Sequence, residues 1–184
     1  MTSALVVIDV QESFRRRPAW QVVSNPEIVS RVQRLVDAAR AAGDLVVWVL
    51  HSEPGSGTVF DPERGLVRLV AELAPASGEP VLTKTSRNAF TTTNLAQILT
   101  ERGIRDLVLC GIQTEQCCET TARLAADLGY DVDFVTDATA TFPIRHRDPA
   151  DPRVLSTADI IERTEYALAG RFATIRTVKE LTAA

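Results

Sequence analysis

The amino-acid sequence predicts a three-layer α/β/α fold built on a mostly parallel, Rossmann-like central sheet of about six strands. Short apolar runs without polar alternation recur along the chain, and strands of that kind are buried on both faces of a sheet. Segments with helical spacing of apolar residues lie between these runs, and glycines stand where several of them end. We expect residues 1–184 to form a single domain, because this length is sufficient to bury one substantial core.

The first strand is predicted at residues 4–8, an apolar run that ends at Asp9. A helix is predicted at 26–43, because a proline can open it, apolar residues recur at helical spacing, and a glycine closes it. A second apolar strand follows at 45–50 and ends at His51.

The middle of the chain is less regular. Residues 52–65 contain several prolines and glycines and predict a long irregular loop, and loops of this kind in compact domains are often functional. Apolar residues at helical spacing predict a short helix over 66–73, and a brief strand at 81–83 ends at Lys84. After a polar turn, the pattern predicts a helix that runs from about 95 to 103.

In the carboxyl-terminal half, the apolar run 107–110 predicts a buried strand that Gly111 closes. From 114 to 129 the spacing of apolar and small residues predicts a helix that ends at a glycine. The remaining elements are a strand at 132–136, a polar loop to about Arg153, a helix opened by Ser156 and Asp159 and closed at Gly170, and a last strand at 173–178.

Composition excludes several classes of protein. The chain is 45% hydrophobic and 24% charged, as in ordinary globular domains, and a net charge of −4 indicates no nucleic-acid surface. No apolar run approaches the length of a membrane span, and Met1 leads into a strand rather than a signal peptide. The three cysteines are an odd number and two are adjacent, which indicates reduced thiols. We therefore expect a cytoplasmic protein that binds neither nucleic acid nor membrane.

Four polar or reactive features follow predicted strands directly. They are Asp9, His51, Lys84 and the turn at 111–117. Because the carboxyl ends of parallel strands share one edge of the sheet, and the ligand crevice of such sheets lies beyond that edge, we expect these features to lie close together.

Cys117 lies about one turn into the predicted helix. Unpaired N–H groups and the helix dipole stabilise an anion there, so they lower the pKa of a thiol. With Lys84 as a nearby cation and Asp9 as a proton carrier, Cys117 would be an activated nucleophile. The same pattern also fits a buried structural cysteine, a loop-pinning Asp9 and a surface Lys84.

Three motifs together resemble those of the isochorismatase-like cysteine hydrolases. They are Asp9-Val10-Gln11 with Phe14, Lys84 with Asn88-Ala89-Phe90, and GIQTEQCCETTA at 111–122. The resemblance runs in order over nearly the whole chain, and the cysteine motif is specific. The family includes isochorismatase, nicotinamidase, N-carbamoylsarcosine amidase and related amide hydrolases.

The resemblance implies that Cys117 is the nucleophile, Asp9 the proton shuttle and Lys84 the stabilising cation. The backbone N–H groups of Gln113 and Cys117 would form the oxyanion hole, with a cis peptide bond between Ile112 and Gln113. The implied reaction is hydrolysis of a small-molecule C–N bond through a thioester. Vinyl-ether cleavage of the isochorismatase type and a catalytically silent binding protein are the alternatives, and the presence of the cysteine favours amide hydrolysis.

The resemblance also bears on the pocket and its partners. Phe14 and Phe90 would wall the substrate pocket, although each also suits a plain core, and His51 would line the pocket, form a hydrogen bond there or be structural. Nicotinamidases carry an Asp-x-His metal signature near the second strand. Because Val49 takes the Asp position here, we expect no metal and no other cofactor. A small-molecule substrate and a homo-oligomer, a dimer or tetramer, are expected.

Overall fold

The computed structural model describes residues 3–183 and has a six-stranded, all-parallel sheet at its centre. The strands of this sheet are β1 (Ser3–Ile8), β2 (Leu45–His51), β3 (Val81–Lys84), β4 (Asp106–Ile112), β5 (Asp131–Ala140) and β8 (Thr174–Arg176). Two short strands, β6 (Ile144–Arg145) and β7 (Val154–Leu155), pair antiparallel outside this sheet. The predicted parallel sheet of about six strands is confirmed.

Helices cover both faces of the sheet. They are α1 (Glu12–Arg15), α2 (Ile28–Ala42), α3 (Leu95–Glu101), α4 (Glu119–Asp127), α5 (Thr157–Leu168) and α6 (Val178–Thr182), with 3-10 turns at Pro18–Val22 and Pro62–Arg64 and a π turn at Thr114–Cys118. None of these helices, which include all those within residues 3–183, has the length and apolar character needed to cross a bilayer.

The continuous apolar runs have a direct structural explanation in β1. Leu5 and Val7 pack into the core beneath α2 and α6, whereas Val6 and Ile8 pack into the core beneath α3, α4 and α5. Alternate side chains therefore enter two different cores, and every position must be apolar. The three-layer α/β/α architecture follows from this pattern.

The order of the strands places a crevice beside β1. Across the sheet they run β3, β2, β1, β4, β5, β8, so the chain moves outward from β1 in one direction and then returns to continue from β4 in the other. The carboxyl ends of β1 and β4 therefore lie at the point where the winding reverses, which is where parallel α/β sheets bind ligands.

The predicted helix over 66–73 is wrong. Leu69 instead forms an isolated antiparallel bridge with Gln11, and backbone hydrogen bonds join this segment to the start of α1. Val70 and Leu73 still reach the core. The segment after β1 takes up the backbone hydrogen bonds that a helix would have used.

Further corrections concern the carboxyl-terminal third. The strand predicted at 132–136 continues to Ala140, and the predicted polar loop contains the β6–β7 hairpin. The last strand, predicted at 173–178, covers only Thr174–Arg176, because Val178 begins helix α6, which was not predicted. The predicted cap of α5 is present: Ser156 Oγ accepts a hydrogen bond from the Asp159 N–H. The short hairpin and helix carry too few residues for a periodic signal.

Gly111 is required by the close approach of β4 to β1. It pairs with Ile8, has a φ of +130°, and a Cβ at this position would lie 1.9 Å from the Ile8 carbonyl oxygen. Because that oxygen belongs to the backbone of a central strand, it cannot move aside without displacing the segment that leads to Asp9.

We predict that Gly111→Ala destabilises the protein by at least ~4 kcal/mol or prevents folding, because it places a methyl group inside the β1 backbone. Gly103→Ala is the matched control: its φ is +64° but the space around it is open, so we expect a loss of about 1 kcal/mol. Urea unfolding measures the free energy of unfolding of both variants, and equal m-values make the two values comparable. Similar losses in the two variants would contradict the packing argument.

Candidate active site

Four residues expected at the carboxyl edge of the sheet do meet there. Lys84 Nζ donates hydrogen bonds to Asp9 Oδ2 at 2.8 Å and to Cys117 Sγ at 3.3 Å, and it lies 3.3 Å from His51 Nδ1. His51 and Lys84 are direct neighbours in the register of β2 and β3. Parallel pairing thus brings side chains from distant parts of the sequence to one ammonium group.

The cluster is withdrawn from solvent. Asp9 and Lys84 are 0% exposed, His51 is 3% exposed and Cys117 is 4% exposed. Removing two charges from water costs several kcal/mol per ion, and only close pairing with good hydrogen bonds offsets that cost. The 2.8 Å contact between Asp9 and Lys84 provides such pairing.

Asp9 adopts a backbone conformation that residues other than glycine rarely take. Its φ is +55°, in the left-handed region, and its N–H donates to the Val49 carbonyl at 2.8 Å. Strained positions of this kind cluster at functional sites. Within residues 3–183, Asp9 Oδ1 is buried and has no hydrogen-bond partner, so one carboxylate oxygen remains available to accept a proton.

The expected lowering of the Cys117 pKa is wrong for this state of the site. Burial, and then the negative charge of Asp9, raise the pKa of the Cys117 thiol to about 12, although Lys84 opposes the shift. Burial also raises the pKa of Asp9, against the lowering effect of Lys84. The resting cysteine is therefore a neutral thiol beside a base, and its activation requires proton transfer.

The segment before Cys117 departs from a regular helix. Residues Thr114–Cys118 form a π turn, in which the Cys118 N–H donates to the Gln113 carbonyl at 3.2 Å, and the peptide bond between Ile112 and Gln113 is cis. The sequence indicated a helix here but carried no signal for the wider turn. Such π turns are frequent at functional sites.

Gln11 is a residue whose role the sequence did not reveal, although it stands in the first motif. Its side-chain oxygen accepts from the His51 N–H at 2.7 Å, and its side-chain nitrogen donates to the His51 carbonyl at 3.0 Å. This paired contact ties the segment after β1 to the end of β2. It therefore fixes the position of Asp9 relative to His51.

The Phe60 ring lies against one member of the cluster. Phe60 lies edge-on to His51 at 5.6 Å and to Phe14 at 5.0 Å between ring centroids. Phe90 stacks on Tyr130 at 5.7 Å and packs in the same core as Cys117. Phe60 was missed because it lies in the loop at 52–65, whose conformation no periodic pattern determines.

A cavity of about 860 Å³ lies at the opposite edge of the sheet, near the amino ends of β1, β4 and β5. Ser3, Asp106 and Asp131 line it, and none of the four clustered residues does. Because the reactive groups converge at the carboxyl edge, the chemistry is assigned to that edge. In the part of the chain described, no three His, Cys, Asp or Glu side chains are arranged to hold a metal ion, and catalysis without a metal stays a prediction.

Comparison with protein families matches residues 3–164 to the Isochorismatase domain. Streptothricin hydrolase of Streptomyces noursei is 37% identical over 84% of this chain, which spans 59% of that relative. Ureidoacrylate amidohydrolase RutB of Enterobacter sp. (strain 638) is 30% identical over 74% of each chain.

Solved structures share the whole fold. The crystal structure of a cysteine hydrolase from Pseudomonas syringae pv. phaseolicola 1448A superposes with a TM-score of 0.86 and 26% sequence identity. The similarity covers 98% of this chain and 90% of that one. The sheet, its covering helices and their order are therefore those of a known family.

We predict that Asp9→Asn accelerates alkylation of Cys117 by about tenfold or more. The neutral amide resembles Asp9 after it has accepted a proton, so it removes the negative charge that raises the pKa of the thiol, and one pKa unit is tenfold in thiolate. Iodoacetamide labelling at neutral and alkaline pH, read by peptide mass spectrometry, measures the rate. Asp133→Asn, on β5, is the control and should leave it unchanged. A slower reaction in Asp9→Asn would show that Asp9 does not oppose thiolate formation.

Proposed function

This chain belongs to the isochorismatase family, and we propose that it is a cysteine hydrolase that cleaves the C–N bond of a small amide through a thioester on Cys117. The observation that carries the proposal is the contact of one buried ammonium, Lys84, with both the Asp9 carboxylate and the Cys117 sulfur. A nucleophile and a base that both contact one cation are the parts that acyl transfer requires.

In the first half of the reaction, Asp9 accepts the proton of the Cys117 thiol while Lys84 stabilises the forming thiolate. The sulfur bonds to the carbonyl carbon, and the carbonyl oxygen takes the electron pair of the broken π bond. The N–H groups of Gln113 and Cys117 stabilise that oxyanion. The C–N bond then breaks, and the departing nitrogen takes the proton held by Asp9, which leaves a thioester.

In the second half, Asp9 accepts a proton from water, and the hydroxide so formed attacks the thioester carbonyl. The C–S bond breaks, the sulfur recovers a proton from Asp9, and the carboxylic acid leaves. The raised pKa of Asp9 suits this alternation, because a carboxyl group in a buried site accepts and returns a proton more readily near neutral pH.

The names of two relatives support hydrolysis of a small molecule, and one of the two names an amide as the substrate. One is a streptothricin hydrolase and the other a ureidoacrylate amidohydrolase. The closed site, whose clustered residues are no more than 4% exposed, supports a small molecule rather than a polymer. The homo-oligomeric state stays a prediction.

Cleavage of a vinyl ether is the second candidate, because the matching family model is named for isochorismatase. That reaction needs protonation of the substrate and attack by water, so it does not require a sulfur nucleophile. A carboxyl group with a raised pKa could supply the proton. Loss of Cys117 therefore separates the two candidates.

We predict that Cys117→Ser lowers amide turnover at least ~10⁴-fold, because the serine hydroxyl is a far weaker nucleophile in this site. Cys118→Ala is the matched control: Cys118 is fully buried in the core, so we expect most activity to remain and a stability loss of about 1 kcal/mol. Ammonia or acid release from primary amides, ureido acids and lactams measures turnover. Equal losses in two well-folded variants would show that the cysteines have been assigned the wrong roles, and full activity on isochorismate in Cys117→Ser would favour vinyl-ether cleavage.

A further inference from the structure

We propose that His51 is a positioning residue that holds Lys84 beside Asp9 and Cys117 by accepting a hydrogen bond at Nδ1, while Glu53 keeps the ring in its Nε2–H form. The inference deepens the proposed function and rests on it for its catalytic meaning.

Lys84 has three N–H donors and three neighbours. Asp9 Oδ2 lies at 2.8 Å, Cys117 Sγ at 3.3 Å and His51 Nδ1 at 3.3 Å from its Nζ. A protonated lysine can only donate, and a buried donor without an acceptor is costly. His51 therefore supplies the third acceptor, and the three contacts together fix the orientation of the ammonium group.

The same contacts determine which ring nitrogen carries the proton. Because Nδ1 accepts from Lys84, a neutral ring must carry its hydrogen on Nε2. Glu53 Oε1 lies 3.2 Å from Nε2 and accepts that hydrogen, and Glu53 Oε2 in turn accepts from Thr58 Oγ1 at 3.3 Å. Glu53 thus selects the form of His51 that Lys84 needs.

Arg87 offers a competing assignment. Its Nη1 lies 3.0 Å from His51 Nε2, but it also lies 3.7 Å from Glu53 Oε1. If Arg87 donated to Nε2, the hydrogen would have to sit on Nδ1 and point at the Lys84 ammonium, which is buried and cannot turn away. The contact of Arg87 with Nε2 is the shorter of the two, but two donors cannot share it, and Arg87 is 55% exposed, so its side chain can rotate toward the carboxylate. We therefore assign Glu53 as the partner of Arg87.

Protonation of His51 would remove this support. The ring would then carry a hydrogen on Nδ1, and two cations would face each other at 3.3 Å. Burial and then the charge of Lys84 lower the pKa of His51, which keeps the ring neutral at neutral pH. The charged or titratable groups around the ring are Lys84 of β3, Asp9 after β1, Glu53 after β2, Arg87 after β3 and Cys117 after β4.

Nitrogen NMR of the wild-type protein labelled with [¹⁵N]histidine tests the assignment without any substitution at the site. The chain has two histidines, and His146→Gln identifies the His51 signals. We expect an unprotonated Nδ1 and a protonated Nε2 at neutral pH. A proton on Nδ1 would overturn the proposal.

Two variants test the positioning role. His51→Leu removes the acceptor, so Lys84 loses one of its three contacts and stabilises the Cys117 thiolate less well; we expect iodoacetamide to label Cys117 about tenfold more slowly, as for a one-unit rise in thiol pKa. His51→Asn can place an amide oxygen near the position of Nδ1, and we expect a rate within about twofold of wild type.

Unchanged labelling in His51→Leu, or an equal loss in both variants, would contradict the role. If His51→Leu does not fold, the wild-type NMR result decides the proposal by itself. Neither probe needs a substrate, so failure of the positioning role is distinguishable from failure of the hydrolase proposal. If only the hydrolase proposal fails, amide turnover is absent although the His51 signals and the labelling rates are as expected.

Discussion

The site depends on one buried positive charge. The Lys84 ammonium is fully enclosed, and a lone cation in such a place would lose several kcal/mol of hydration. Its three donors are directed at an oxygen, a nitrogen and a sulfur from three other parts of the chain. The charge therefore does two things at once: it binds the strand ends together, and it favours the anionic form of whichever neighbour loses a proton.

The topology of the sheet explains why the cluster forms where it does. β1 and β4 are the central pair, and the winding of the chain reverses between them. Gly111 lets β4 approach the last residue of β1, and the left-handed conformation of Asp9 turns the chain immediately afterwards. Gln11 then ties the same segment to β2. The Asp9 carboxylate and the His51 ring are thus placed by backbone geometry before any substrate binds.

The sequence was sufficient for what depends on hydrophobic pattern and strand order. The parallel sheet followed from its continuous apolar runs, and the meeting of Asp9, Lys84 and Cys117 followed from the shared edge of their strands. The sequence was not sufficient where long-range backbone pairing determines the secondary structure, as at 66–73. It was also not sufficient where one additional residue widens a helical turn, as at Thr114–Cys118. The predicted direction of the Cys117 pKa shift was wrong, because the sequence pattern shows that Cys117 is near the start of a helix but not how deeply it is buried. Glu53 could not be identified, since its contact with His51 depends on an irregular loop.

The central claim is that Cys117 carries the acyl group during turnover. Rapid acid quench of the enzyme reacting with an amide that it hydrolyses, followed by peptide mass mapping, measures this directly, with hydroxylamine added in parallel to intercept the acyl group. The account predicts an acyl mass on Cys117 alone and formation of the corresponding hydroxamate. Continued turnover with no acyl adduct on Cys117 and no hydroxamate would contradict it.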